Sequence, residues 1–191
     1  MYGFRRGEVL GLKWSDIDLK GTLAKERGLP HQTPSIIIQN TRVDVDGMAV
    51  DEDPKSEDSN RTLPVPDDLV TALKALERRQ AEERLAAGAT YEDHGLVVVN
   101  ELGVPPARLQ WYSDRFQIMA RRAGLPVIRL HDARHTCGTL MHLRGVPAAA
   151  ISAWLGHASV AFTMRTYVHS QNEALLNAGK TLRDAFGQQA V

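Results

Sequence analysis

Residues 131–142 carry three histidines and an arginine on what the spacing predicts to be one helix: His131, Arg134, His135 and His142. At about 100° per residue these four, with Gly138, fall on one face, and Ala133, Cys137 and Leu140 lie opposite. A face of imidazoles and one guanidinium, with no carboxylate, could be solvated, although solvated faces usually mix signs. It could also do two kinds of chemistry. His131 and His135, four apart, have the spacing of two metal ligands on a helix. His131 and Arg134, three apart, suit a phosphate, because a guanidinium offers a planar fork to two oxygens and an imidazole can donate and exchange protons near neutral pH. The metal alternative is the weaker. Zinc hydrolases of this helical type place a glutamate after the first histidine, where this chain has Asp132. Arg134 would crowd the cation, and a third ligand would have to come from His157 or a distant carboxylate.

A phosphate site needs further cations and donors. Arg5 and Arg6 at the start of the chain, Lys55, His157 in "WLGHAS" and Tyr167 in "TMRTYVH" are the candidates. Overall charge does not advertise such a site, with 23 basic and 23 acidic residues. The distribution is more informative. Residues 105–191 hold ten Lys or Arg against four Asp or Glu, whereas residues 1–104 hold 13 against 19. A net-positive second half fits an anion-binding surface.

The elements that must position these residues are legible in outline. Residues 5–14 are expected to form a helix built on Val9, Leu10 and Trp14, with Asp16 and Asp18 starting a turn. After a loop at 21–34, "SIIIQNTRV" (35–43) is β-branched and predicts a strand, and Asp46-Gly47 predicts a hairpin turn. "MAVDEDPK" and "RTLPVP" continue as strands, so residues 20–65 predict one small antiparallel sheet. The pattern turns helical after Pro66, capped by Asp67 or Asp68, up to about Gly88. A short strand is expected at 95–100, then helices at 106–122, 131–144, 147–155 (opened by Pro147 at its first position), 159–167 and 171–186. Trp14, Trp111 and Trp154 are expected in the core. The fold class is α+β, mostly helical, with the sheet near the N-terminus. At 191 residues and 43% apolar the chain suits one domain, or two small ones. No apolar run is long enough to span a membrane, no signal peptide is evident, and the single cysteine, Cys137, fits a reducing cytoplasm.

Four segments then fall into a known order. "YGFRRGEVLGLKWSDID", "PKSEDSNRTLPVP", "LHDARHTCGTLMHLRGV" and "ISAWLGHASVAFTMRTYVH" together resemble the catalytic domain of the tyrosine recombinases, the phage-integrase family. The resemblance covers nearly the whole chain. It implies that Arg5, in the G-x-R-x-G-E pattern of Gly3 to Glu8, is the first catalytic arginine and that Arg6 occupies a variable position. It implies Lys55 as the sheet lysine, His131 and Arg134 as the H-x-x-R pair, His157 as the second histidine and Tyr167 as the nucleophile. Glu8 matches a supporting acidic position, His135 is left a supporting role, and His142 a surface one.

The chemistry so implied is cleavage of a DNA strand by Tyr167 to give a 3′-phosphotyrosine and a 5′-hydroxyl, followed by rejoining, with no metal and no cofactor. The implied partner is double-stranded DNA bearing specific recombination sites. Self-association as a tetramer on DNA, and possible accessory DNA-bending proteins, follow from the same resemblance. The family's first arginine usually lies well inside its domain, so a start at residue 5 implies an N-terminal truncation and a missing core-binding domain. Two alternatives stay open: a strand-passage enzyme of the type IB topoisomerase kind, and a DNA-binding or regulatory fragment that no longer cuts.

Overall fold

The computed structural model describes residues 2–52, 60–157, 159–161 and 163. They belong to two compact units. One comprises Phe4–His131, the other residues 2–3 with the described residues from Asp132 onward.

In the first unit a short helix, α1 (Arg6–Gly11), is followed by a 3₁₀ turn (Trp14–Asp16) and a two-residue strand, β1 (Ile17–Asp18). Strands β2 (Ser35–Ile38), β3 (Thr41–Val45), β4 (Met48–Glu52) and β5 (Arg61–Pro64) follow, then α2 (Asp67–Ala87) and α3 (Gln110–Arg122). The single sheet expected at 20–65 is two. β1, β2 and β5 make an antiparallel sheet in that order, and β3 and β4 pair separately.

The strand expected at 35–43 is broken by side-chain chemistry. Gln39 Nε2 and Asn40 Nδ2 donate to the two carboxylate oxygens of Asp16, at 2.7 and 2.8 Å. Asp16 is buried, so these bonds draw the chain out of one ladder and release it into the next. The hairpin turn is where it was expected. Asp46 and Gly47 both have positive φ, 52° and 81°, as a two-residue turn matching strand twist requires.

Helix α1 is shorter than expected, and Trp14 falls in the 3₁₀ turn. The helix lies against β3 through two glycines. A Cβ on Gly7 would stand 2.4 Å from the carbonyl oxygen of Arg42, and one on Gly11 would stand 3.0 Å from the Thr41 backbone. Leu10, fully buried, packs with Ala49 and Leu109, and Val98 and Tyr112 close around them. Gly7→Ala is therefore expected to destabilise the fold by about 1–3 kcal/mol, measured by denaturant unfolding. An unchanged midpoint would mean that α1 is not held this closely.

The strand expected at 95–100 reduces to one bridge, Lys13 to Leu96. Beyond it the Asn100 carboxamide oxygen accepts the backbone N–H groups of Leu102 and Val104, at 3.0 and 2.9 Å, and turns the chain. Gln80 on α2 anchors this segment by donating to the Val97 carbonyl (2.9 Å) while accepting from the Trp14 indole (2.8 Å). At α2 the N-cap is Pro66, and Asp67 and Asp68 lie in the first turn without capping it. α3 starts at Gln110, after the two prolines at 105–106. Trp111 is 42% exposed, not core.

The second unit contains most of α4 (Leu130–Leu143) and all of α5 (Ala148–Leu155). Ile151 and Leu155 are fully buried, with Met141, Val146 and Trp154 around them. Pro147 caps α5 instead of starting it, and Gly156 ends it in the left-handed conformation, φ 64°. The N–H of His157 then returns to the Ser152 carbonyl at 3.0 Å, a helix stop that fixes where His157 leaves the helix. Residues 160, 161 and 163 are helical. The expected helix at 171–186 lies outside the described residues.

Candidate functional site

Arg5 occupies the N-cap of α1, and its neighbour three residues on, Glu8, reaches back to it. Glu8 Oε2 accepts the backbone N–H of Arg5 at 2.7 Å, and Oε1 accepts its guanidinium at 2.8 Å. A glutamate at this helix position commonly satisfies the otherwise unpaired N-cap N–H. The two side chains differ sharply in exposure, 46% for Arg5 and 6% for Glu8. A guanidinium that meets solvent is thus held by a carboxylate that does not.

A buried carboxylate needs more than one partner to stay ionised. The second is Arg61, on β5, whose terminal nitrogens reach both Glu8 oxygens at 3.0 and 2.9 Å. Its own side chain is 9% exposed. Burial alone would raise the Glu8 carboxyl. The hydrogen bonds and charge of Arg61, then those of Arg5, outweigh it and hold the group below its ordinary value. The neighbouring Arg6 turns elsewhere, to Gln110 Oε1 and Ser113 Oγ on α3 at 3.2 and 3.3 Å.

On α4, His131 is exposed and Arg134 is buried, only 4% accessible. The face expected to be polar is therefore partly an inner one, whereas Leu140, assigned to the opposite side, is 55% exposed. Arg134 donates through Nη1 to the Gly3 carbonyl at 2.6 Å and through Nη2 to the Leu155 carbonyl. A guanidinium carries five N–H donors, so these contacts fix its plane through two of them. Gly3 is itself confined: its φ is 75°, and a Cβ there would stand 2.7 Å from Leu155 and 3.2 Å from the Cys137 sulfur. The pattern residue Gly3 is thus a packing requirement of the arginine's seat. His135 and His142 are half-buried.

His157 is oriented by a hydroxyl. Its Nδ1 lies 2.7 Å from Thr163 Oγ1, and Thr163 is fully buried. When that hydroxyl donates to Nδ1, the ring carries its proton on Nε2, the tautomer that can donate to an oxyanion. Lys55 and Tyr167 lie outside the described residues. Among the described residues no three His, Cys, Asp or Glu side chains come together as metal ligands, and no helix is long and apolar enough to cross a membrane.

Arg61 and Thr163 were not foreseen from sequence. Arg61 could have been sought as the cation a buried Glu8 requires, but no spacing rule points from residue 8 to residue 61. Thr163 is six residues after His157, across a turn that local pattern does not define.

The sequence profile of the phage integrase family matches residues 1–174. A tyrosine recombinase XerC-like protein of Caldanaerobacter subterraneus subsp. tengcongensis is 34% identical over 189 residues, covering 96% of this chain and 47% of its own length. The ICEBs1 integrase of Bacillus subtilis is 30% identical over 168 residues, covering 87% and 42% respectively. The chain thus spans about half the length of the curated relatives it matches. Among solved structures, the Tn1549 transposon integrase in complex with transposon right-end DNA superposes with a TM-score of 0.70 at 17% identity, over 97% of this chain and 56% of that one. The XerA recombinase superposes with a TM-score of 0.64 at 23% identity, over 95% and 54%. At these identities the superpositions speak for the fold.

Proposed function

The chain belongs to the phage integrase family, and we propose that residues 1–191 act as the catalytic domain of a site-specific DNA recombinase. The observation that carries this reading is Arg5: a solvent-reaching guanidinium fixed by a buried, ionised Glu8. Phosphoryl transfer without a metal needs cations whose position is set before the substrate arrives.

In this reading the Tyr167 phenol oxygen attacks a DNA phosphodiester, and its proton passes to His131. The bond from phosphorus to the 5′-oxygen breaks, and that oxygen takes a proton from Lys55. The phosphate stays on tyrosine as a 3′-phosphotyrosine, so the bond energy is retained, and a 5′-hydroxyl from a second strand reverses the step. Arg5 and Arg134 bind the non-bridging oxygens as charge grows on them, and His157 donates from Nε2. Glu8 supports Arg5, and His135 steadies α4 near His131 and Arg134. No cofactor enters the cycle. The full reaction runs on a tetramer of such chains on paired target sites in the cytoplasm, with DNA-bending proteins assisting.

The test is a nicked suicide duplex carrying the target site, from which the 5′-hydroxyl strand diffuses away. A covalent protein–DNA adduct is expected in excess EDTA. Loss of the adduct on chelation, with recovery on adding zinc, would support metal chemistry instead. Binding without any adduct would mark a fragment that no longer cuts.

A further inference from the structure

We propose that Arg61 is a positioning residue for cleavage: it fixes Glu8, and through Glu8 it sets both the geometry and the effective charge of Arg5. The proposal rests on Arg5 being a phosphate ligand, the reading given above.

The geometry is a carboxylate shared evenly between two arginines. Oε1 accepts from the Arg5 guanidinium (2.8 Å) and from Arg61 Nη1 (3.0 Å). Oε2 accepts from the Arg5 backbone (2.7 Å) and from Arg61 Nη2 (2.9 Å). The Arg61 pair is two-pronged, which restricts the carboxylate in plane and in rotation. Its backbone is anchored as well, since Arg61 pairs with Ile38 in the β2–β5 ladder. Glu8 is therefore held from a sheet, and α1 cannot rotate or slide without breaking that fork.

The charges explain why a second arginine is needed. Arg5 with Glu8 alone is a neutral pair and would offer a phosphate little field. Arg61 adds a second positive charge to that pair, and Arg5 is the partly exposed member through which a phosphate meets it. Among the described residues, the two arginines nearest to α1 in the chain or on its packing strand are engaged elsewhere. Arg42, on the strand against which α1 packs, is paired with Asp51 (2.9 Å), and Arg6 is bonded to α3. Without Arg61, burial would favour a protonated Glu8, which holds Arg5 less firmly.

The test uses Arg61→Met, Arg61→Lys, Glu8→Gln and the double variant Glu8→Gln/Arg61→Met. Suicide-duplex cleavage is followed in single turnovers at saturating DNA from pH 5.5 to 9, and thermal melting from pH 4 to 8. In the wild-type chain the ionised Glu8 contributes stability above its ordinary value of about 4.5, and that contribution is lost as pH falls through the lower folded value. In Arg61→Met this acid loss is expected to move to higher pH. Cleavage is expected to fall about 10²-fold and to recover partly as pH rises, with DNA affinity little changed. Arg61→Lys, which keeps charge without the fork, is expected to lie between. The double variant is expected to cleave no worse than Glu8→Gln and to lack the pH-dependent limb.

Wild-type cleavage by a folded Arg61→Met, or effects of Glu8→Gln and Arg61→Met that simply multiply, would overturn the proposal. So would melting curves whose pH dependence ignores residue 61. If Arg61→Met does not fold, the same comparisons are read from Arg61→Lys. A wild-type chain that forms no adduct would instead sink the recombinase reading, and the melting curves would still decide whether Arg61 governs Glu8.

Discussion

Replacing Tyr167 by phenylalanine is expected to abolish the covalent DNA adduct and leave DNA binding intact. The variant removes one oxygen, and with it the protein atom that the mechanism bonds to phosphorus. The expected effect is therefore total within detection, unlike the ~10² to 10⁴ in rate that losing one positioned acid or base costs. Gel separation under denaturing conditions reads the adduct, and a filter or anisotropy titration reads the binding. Because half or more of the relatives' length lies outside this chain, the binding titration belongs at low ionic strength, where phosphate contacts are strongest. An adduct that survives would place the nucleophile elsewhere.

The second large effect is expected at Arg134, and it is of a different kind. Its guanidinium is buried and donates to the carbonyls of Gly3 and Leu155. Arg134→Ala leaves both carbonyls without that donor, and each unsatisfied buried group costs about 1–3 kcal/mol. A loss of roughly 2–5 kcal/mol in folding stability is therefore expected, together with loss of cleavage. Arg134→Lys keeps the charge but not the fork, and is expected to fold better than the alanine variant while cleaving poorly. Denaturant unfolding beside the adduct assay separates the two contributions. An Arg134→Ala chain as stable as wild type would mean that the carbonyl contacts contribute nothing to the fold. This contrasts with Arg5, whose side chain is half exposed.

Much of the fold was legible because local chemistry decides it. Asp46-Gly47 can take two positive φ angles, Gly145 and Gly156 can end helices in the left-handed region, and the described helices come in the expected order. What local pattern missed depends on partners distant in sequence. The run at 35–43 has the composition of one strand, but Asp16, 23 and 24 residues away, captures Gln39 and Asn40 and divides it. The apolar segment 95–100 reads as a strand, yet it finds one bridge partner before Asn100 turns it.

The candidate site follows the same division. Family resemblance supplied Arg5, Lys55, His131, Arg134, His157 and Tyr167, and periodicity put His131 and Arg134 one turn apart on α4. Periodicity could not say that Arg134 points inward, because its solvent-free seat is built from Gly3 and Leu155, 131 and 21 residues away in sequence. Nor could it find Arg61, since the demand of a buried carboxylate for a second cation is a tertiary fact.

Identification of the residue that carries the DNA tests the central claim most directly. The chain has four tyrosines, and they are not equivalent. Tyr112 is half-buried, and that burial pushes its phenol up and makes it a poor nucleophile. Tyr91 lies beneath the Arg84 guanidinium, 5.6 Å from its ring centre. The adduct formed on a suicide duplex in EDTA is digested with protease and nuclease, and the nucleotide-bearing peptide is sequenced by mass spectrometry. The account predicts a single 3′-phosphonucleotide on Tyr167. A nucleotide on any other residue, or a cleaved duplex with no protein attached, would contradict it.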